Sequence, residues 1–232
     1  MRSLLRGGLL LAVLTASSVS ANSLEERWPE QVLPLRKGTF EIGLGAGTRV
    51  STLGSPVQFA FEPNPTLRLG VLDWLEVSPA WIRARVTSSS ERGGVLVGAG
   101  LASISASSLG FELFPTFAVE GYLRAGSFIA VGKLSAGSAV GVASGVAYSQ
   151  LPIGNAATTL LYRMTERWVL LSTFTLVIGL DAQTHELAAQ PAILLRTRSY
   201  LTAVWAIDLW LSAGPKSFAP GLSVVFAPSG LF

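Results

Sequence analysis

The chain has 232 residues, half of them apolar and only 13% charged, with no cysteine and a single histidine. Soluble domains usually carry about 25% charged residues, so this is not the balance of an ordinary water-soluble protein, and the missing cysteines exclude a disulfide framework and thiolate metal sites. The formal net charge of +3 falls to +1 when Arg2 and Arg6 are set aside with the leader described next, which leaves no basic stripe for nucleic acid.

Arg2 and Arg6 precede the apolar run Gly8-Leu9-Leu10-Leu11-Ala12-Val13-Leu14, and small residues follow to Val19-Ser20-Ala21. A basic start, a short apolar stretch and a small-residue cleavage site predict a secretory signal peptide over residues 1–21. No later stretch approaches the ~20 apolar residues that a spanning helix needs. A greasy chain without such a helix can satisfy its backbone in a bilayer only as a closed barrel. Residues 22–37, with Glu25, Glu26, Arg27, Trp28 and Pro29, show no strand pattern. They form either a periplasmic tail or a plug inside the lumen, and residues 38–232 form the barrel.

Period-two alternation then runs along the chain. Phe40, Ile42, Leu44 and Ala46 alternate with Thr39, Glu41, Gly43, Gly45 and Gly47; Val57, Phe59, Phe61, Pro63, Pro65, Leu67, Leu69 and Val71 alternate with Gln58, Glu62, Arg68 and Gly70. Proline cannot donate to the ladder, so a break is expected near Pro63 and Pro65. Further on, Phe111, Leu113, Phe117 and Val119 oppose Glu112, Thr116 and Glu120, Trp205, Ile207, Leu209 and Leu211 oppose Asp208 and Ser212, and Phe218, Leu222, Val224 and Phe226 oppose Gly221 and Ser223. Turn residues divide the pattern into about twelve strands: 39–48, 57–71, 75–86, 94–104, 110–123, 127–133, 139–149, 156–164, 168–179, 186–197, 201–212 and 218–227. The expected fold is all-β, a closed antiparallel transmembrane barrel. Short periplasmic turns fall at 72–74, 165–167 and 198–200, and longer outer loops at 48–56, 87–93, 150–155, 179–185 and 213–217.

One face of each strand is bulky and apolar; the other is mostly Gly, Ala, Ser and Thr with scattered charge. Turning the second face to lipid would place Arg68, Glu112, Glu120 and Asp208 in hydrocarbon, where an arginine at midplane costs about 2–4 kcal/mol. The apolar face therefore meets lipid and the small face lines a lumen. Phe40, Trp74, Trp168, Tyr200 and Phe226 are expected in one interfacial belt, and Phe59, Trp81, Tyr148 and Phe218 in the other.

The segment Leu67-Arg68-Leu69-Gly70-Val71-Leu72-Asp73-Trp74-Leu75-Glu76, with Tyr162-Arg163-Met164-Thr165-Glu166-Arg167-Trp168 as a second copy of its turn, resembles a strand–turn–strand of small porin-like outer-membrane proteins, the family linked to meta-cleavage phenol degradation. The resemblance implies a barrel in the bacterial outer membrane and transfers no substrate. Residues 218–226 are similar to the closing strand read by the outer-membrane assembly machinery, with Phe226 or the terminal Phe232 as the aromatic it recognises.

The candidate lumen charges are Glu41, Arg68, Glu76, Glu112, Glu120, Arg124, Arg163, Arg196 and Asp208, with Arg49 and Glu62 in the same phase. A three-residue turn at 72–74 would set Arg68 diagonal to Glu76, and the first strand would bring Glu41 to its other side, giving a Glu41–Arg68–Glu76 cluster near the periplasmic mouth. Such a cluster either neutralises buried ions or screens solutes. The signs nearly balance, so no strong ionic preference is expected. A hydrolase would need the sole histidine, His185, beside Glu186 in an outer loop. Asp181 and Glu186 are too sparse for a calcium site, and Gly43–Thr48 lacks the Lys-Ser/Thr ending of a phosphate loop. No enzyme activity, metal or cofactor is expected. The expected partners are membrane lipid, the assembly machinery and a small solute. Lumen glycines and alanines leave volume open, which favours a narrow passive channel for small solutes. The alternative is a non-conducting structural or ligand-binding barrel, with Phe114, Tyr122 and Trp210 large enough to fill it, and the third reading is an outer-membrane hydrolase.

Overall fold

Alternating chains with one bulky face pair edge to edge until no edge is left, and here the pairing closes. A computed structural model describes residues 27–51, 58–87, 92–107, 110–138, 140–143, 146–149, 153–180, 187–202, 204–215 and 217–228. Fifteen strands form one antiparallel sheet: β1 Phe40–Ser51, β2 Gln58–Pro63, β3 Thr66–Leu72, β4 Leu75–Ser78, β5 Trp81–Arg85, β6 Gly93–Ser107, β7 Gly110–Ala125, β8 Phe128–Gly137, β9 Val140–Ala143, β10 Val146–Ser149, β11 Ile153–Arg163, β12 Trp168–Leu180, β13 Leu187–Tyr200, β14 Trp205–Gly214 and β15 Ser217–Phe226. Three pairs of them are single wall strands broken in the middle. Both β2 and β3 pair β1, both β8 and β9 pair β7, and β10 and β11 continue the next position against β9 and β8. The wall therefore has twelve positions, with β1 against β15 and β7 against β8 completing the ring.

The break between β2 and β3 falls at Asn64–Pro65, where proline interrupts donation. The stretch 75–86 is not one strand. The chain reverses at Pro79-Ala80, so that Ser78 faces Trp81 and Leu75 faces Ala84. These two short strands leave the wall low on this side. Conversely, the three strands expected at 127–133, 139–149 and 156–164 occupy two wall positions, and Ile153–Asn155, expected in an outer loop at 150–155, belong to β11; residues 150–152 lie outside the described residues. The total stays at twelve because the two differences offset each other. The first turn is also tighter than expected: Leu72 pairs Leu75 across Asp73-Trp74, and the extra residue is absorbed in an irregularity between Gly70 and Leu72.

Phe40 N–H donates to the Pro228 carbonyl at 3.3 Å, so the barrel opens and closes at one end. An even strand count makes this the periplasmic end. The 73–74, 126–127, 165–167 and 201–202 turns lie there. So do the described ends of the loop expected outside at 87–93, because Val86 N–H donates to the Val95 carbonyl and Gly93 pairs Leu123 near the Ala125–Phe128 turn.

Leu44, Phe61, Phe117, Leu123 and Leu134 are about 70% exposed on the outer face, whereas Glu41, Glu76, Glu120 and Asp208 are buried within. That is the inverse of a soluble barrel, and it fits lipid outside. The belts are less complete than expected. Trp74 and Trp168 stand exposed at the periplasmic rim, and Phe226 packs on Phe40 and Trp205 with ring centroids 5.9 and 4.6 Å away. Tyr200 and Trp81, however, turn inward, since they share the lumen phase of Arg198 and Arg83. Orientation is testable at Leu134, which sits about 15 Å above the periplasmic strand end by strand rise and tilt. L134R is expected to lower stability by about 2–4 kcal/mol in urea unfolding from lipid, while an unchanged midpoint would place that face away from hydrocarbon.

Candidate functional site

The segment that precedes β1 lies inside the lumen at its periplasmic end. Residues Trp28–Gln31 form one 3-10 turn started by Pro29, and the chain then crosses the barrel floor to Thr39. Trp28, Val32, Leu33 and Leu35 are buried. They meet a ring of large apolar side chains on the lumen face, among them Leu96, Tyr122, Ile129, Leu161, Val169 and Leu171. Arg124 and Arg163 stand over the Trp28 indole at 5.4 and 5.8 Å, the geometry of a cation–π pair.

Wall side chains satisfy the backbone of this segment. Arg68 Nη2 donates to the carbonyls of Glu30 and Leu33 at 2.8 and 3.1 Å, and Arg83 Nη2 donates to that of Val32. Leu35 N–H donates to Glu76 Oε2 at 2.9 Å, Lys37 N–H donates to Asp73 Oδ1 at 3.1 Å, and Gln31 Nε2 reaches the Tyr200 hydroxyl at 3.2 Å. Gly70 is required here. A Cβ on it would strike the Arg36 carbonyl oxygen. Glu30 pairs loosely with Arg27 and Arg36 at 3.9 and 3.7 Å, and burial pushes its carboxyl above the usual carboxylate range against their pull. Residues 27–36 are thus seated against the lumen wall, as a plug would be.

A continuous charge network rises beside the plug. The register sets Glu41 opposite Arg68, and the two lie 3.5 Å apart. Arg68 also forks Glu76 through Nε at 3.1 Å and Nη2 at 2.7 Å. On the other side of Glu41, Arg198 Nη1 donates to Oε2 at 2.9 Å, while its Nε and Nη2 fork Asp208 at 2.7 and 2.8 Å. Arg196 reaches Asp208 only at 3.9 Å. A second group joins Glu120 to Arg83 and, at 3.6 Å, to Lys133.

Of the residues singled out in the sequence, Glu41, Arg68, Glu76, Arg196 and Asp208 are brought into one network, Glu120 lies in the second group, and Arg124 and Arg163 serve the plug. The side chain of Glu112 lies outside the described residues, as do His185, Glu186, Asp181, Phe232 and the signal peptide. Alternation places Arg83, Arg85, Lys133 and Arg198 on the lumen face as well, none of them expected there. Arg198 was hidden by placing the turn at 198–200; β13 runs to Tyr200, and the chain turns after it. The added cations overturn the expected balance of signs.

Above the plug lie two adjoining cavities of about 330 and 380 Å³, which share Gln31, Arg83, Leu194 and Arg196 in their walls. The lumen glycines do not simply leave space. Trp210 lies flat on Gly47 and Gly221, and Trp81 lies on Gly98 and Gly100, each glycine sitting where a Cβ would collide with the indole. Lys133 in turn stands 4.9 Å over the Trp81 ring. Among the described residues no group of His, Asp and Glu is arranged to hold a metal.

No family model matches the sequence, and no curated protein matches it. Solved structures do match by shape. The NanC porin superposes over 80% of this chain and 98% of its own with a TM-score of 0.55 at 11% identity. A loop-deletion mutant of OmpT, an outer-membrane protein of Vibrio cholerae, covers 82% of this chain and all of its own at a TM-score of 0.47 and 7% identity. The translocator domain of the autotransporter NalP from Neisseria meningitidis covers 94% of this chain and 98% of its own at 0.44 and 10%. At these identities the likeness is one of fold, and the chain is a twelve-stranded outer-membrane β-barrel built like a small porin.

Proposed function

We propose that this barrel is a channel for small solutes, without catalytic activity, whose periplasmic mouth is held shut by its own N-terminal segment. The observation that carries this reading is open lumen volume, in two cavities of about 330 and 380 Å³, directly above a plug that is held by wall-to-backbone hydrogen bonds as well as by apolar packing. Its backbone is tied to the wall by arginine–carbonyl bonds that water can replace when the segment withdraws. The motif at Leu67–Glu76 adds the resemblance to the family linked to meta-cleavage phenol degradation, and Phe226, at the end of the closing strand, is the aromatic offered to the assembly machinery.

Conductance in planar bilayers tests the reading. The mature chain is expected to stay mostly closed, and deletion of residues 22–36 is expected to raise open probability about tenfold or more, with folding checked by the heat-dependent shift in gel mobility typical of intact barrels. A deleted, folded barrel that never conducts would overturn the channel and leave a non-conducting ligand-binding barrel, the reading that the seated plug favours second.

A further inference from the structure

We infer that the cavity above the plug binds a small organic anion, its charge on Arg196 and its apolar body against Trp210 and Leu194. The inference rests on the lumen being open to solutes, as the channel reading requires. Around the two cavities the acidic groups are Glu41, Glu76, Glu120 and Asp208, and the basic groups are Arg68, Arg83, Lys133, Arg196 and Arg198. Each acid is already engaged: Glu76 by Arg68 and the Leu35 N–H, Glu41 by Arg68 and Arg198, Asp208 by the Arg198 fork, and Glu120 by Arg83 and Lys133.

Arg196 is the cation left over. Its Nη1 is 3.9 Å from an Asp208 oxygen already held by Arg198, its Nη2 reaches Gln31 at the 3.4 Å limit of a hydrogen bond, and its Nε has no partner. It borders both cavities. An incompletely paired guanidinium in a partly dehydrated cavity is costly, and a carboxylate is the group whose two oxygens match its fork. The uncharged wall there is Trp210, Leu194 and Val225 together with Gln31, Asn64, Thr66, Ser212 and Ser223, so an apolar or aromatic body has a face to rest on at Trp210 and Leu194, with polar side chains around it. The cavity volumes, about 330 and 380 Å³, lie at the small end of ligand sites.

The test uses three probes of one size and different charge, benzoate, benzyl alcohol and benzylamine, added to the full mature barrel in detergent while tryptophan emission is followed. Benzoate is expected to bind saturably and about tenfold more tightly than the alcohol, with benzylamine weakest. R196Q should bring benzoate and the alcohol to within about threefold of each other, and R196K should retain most of the preference. If Arg196 only braces the wall, R196Q lowers the unfolding midpoint and leaves the order of affinities unchanged, which overturns the proposal. Equal binding of all three probes by the unmodified barrel overturns it too. Because binding is read optically, a barrel that prefers benzoate yet never conducts would sink the channel and keep the anion site. One that conducts without charge preference and binds no probe would do the reverse.

Discussion

R198A is expected to be the most damaging single substitution in the wall, at about 3–5 kcal/mol. Three strand pairings converge on this side chain. Arg198 faces Asp208 across β13 and β14, Asp208 faces Ser223 across β14 and β15, and Ser223 faces Gly45 of β1, four residues on from Glu41 and on the same face. Gly45 keeps that path open, because a Cβ there would lie on the Ser223 hydroxyl. Removing the guanidinium leaves Asp208 with only the distant Arg196 and leaves Glu41 with Arg68 alone, while both carboxylates stay buried at 3% and 6% exposure. The penalty is that of abandoned charge, so it should be partly reversible. D208N placed in the R198A background is expected to recover stability rather than lose more, giving a positive coupling in a double-mutant cycle. The measurement is urea unfolding of the folded barrel in detergent or lipid. A loss below about 1 kcal/mol would mean that water enters this part of the lumen freely and that the network is only surface-like.

What could be read in the chain follows from what is local. Alternation has a period of two wherever a strand runs, so the lipid face at Leu44, Phe117 and Leu134 and the lumen phase of Glu41, Arg68 and Asp208 are written residue by residue. Hairpin register is local too, which sets Arg68 and Glu76 on neighbouring strands. Strand ends are less sharply marked. Nothing in Arg198-Ser199-Tyr200-Leu201 marks where β13 stops, and shifting the turn by three residues removed Arg198 from view. Ser78-Pro79 reads in the sequence as a phase slip within 75–86, and only the return of Trp81 to Ser78 makes it a hairpin. The choice between tail and plug stayed open in the sequence for a different reason. The segment's contacts are made by its own carbonyls at Glu30, Val32 and Leu33, and main-chain acceptors leave no trace in a side-chain pattern. One signal was present all the same. Leu96, Tyr122, Ile129, Leu161, Val169 and Leu171 are large and apolar on the lumen phase near the periplasmic strand ends. A water-filled pore has no use for such a ring, so something apolar has to cover it.

Trp28 is the residue that covers it, and W28A is expected to unseat the plug while sparing the wall. The indole is 1% exposed, and Arg124 and Arg163 stand over its ring at 5.4 and 5.8 Å. Truncating a buried tryptophan costs about 3–5 kcal/mol. Here that cost falls on the seated state alone, because the indole of a withdrawn segment is in water with or without the mutation. A bias of that size shifts the balance between seated and withdrawn forms by roughly two to four orders of magnitude. The strand pairings owe nothing to Trp28, so the urea midpoint of the wall should move far less than it does in R198A. The two substitutions therefore separate by readout. W28A should raise open probability in bilayers and expose Arg27 and Arg36 to trypsin in the folded barrel, whereas R198A should lower the folded fraction. If W28A leaves the segment protected from trypsin and the barrel closed, residues 27–36 are a fixed part of the floor, held by the arginine–carbonyl bonds of Arg68 and Arg83 without help from the indole.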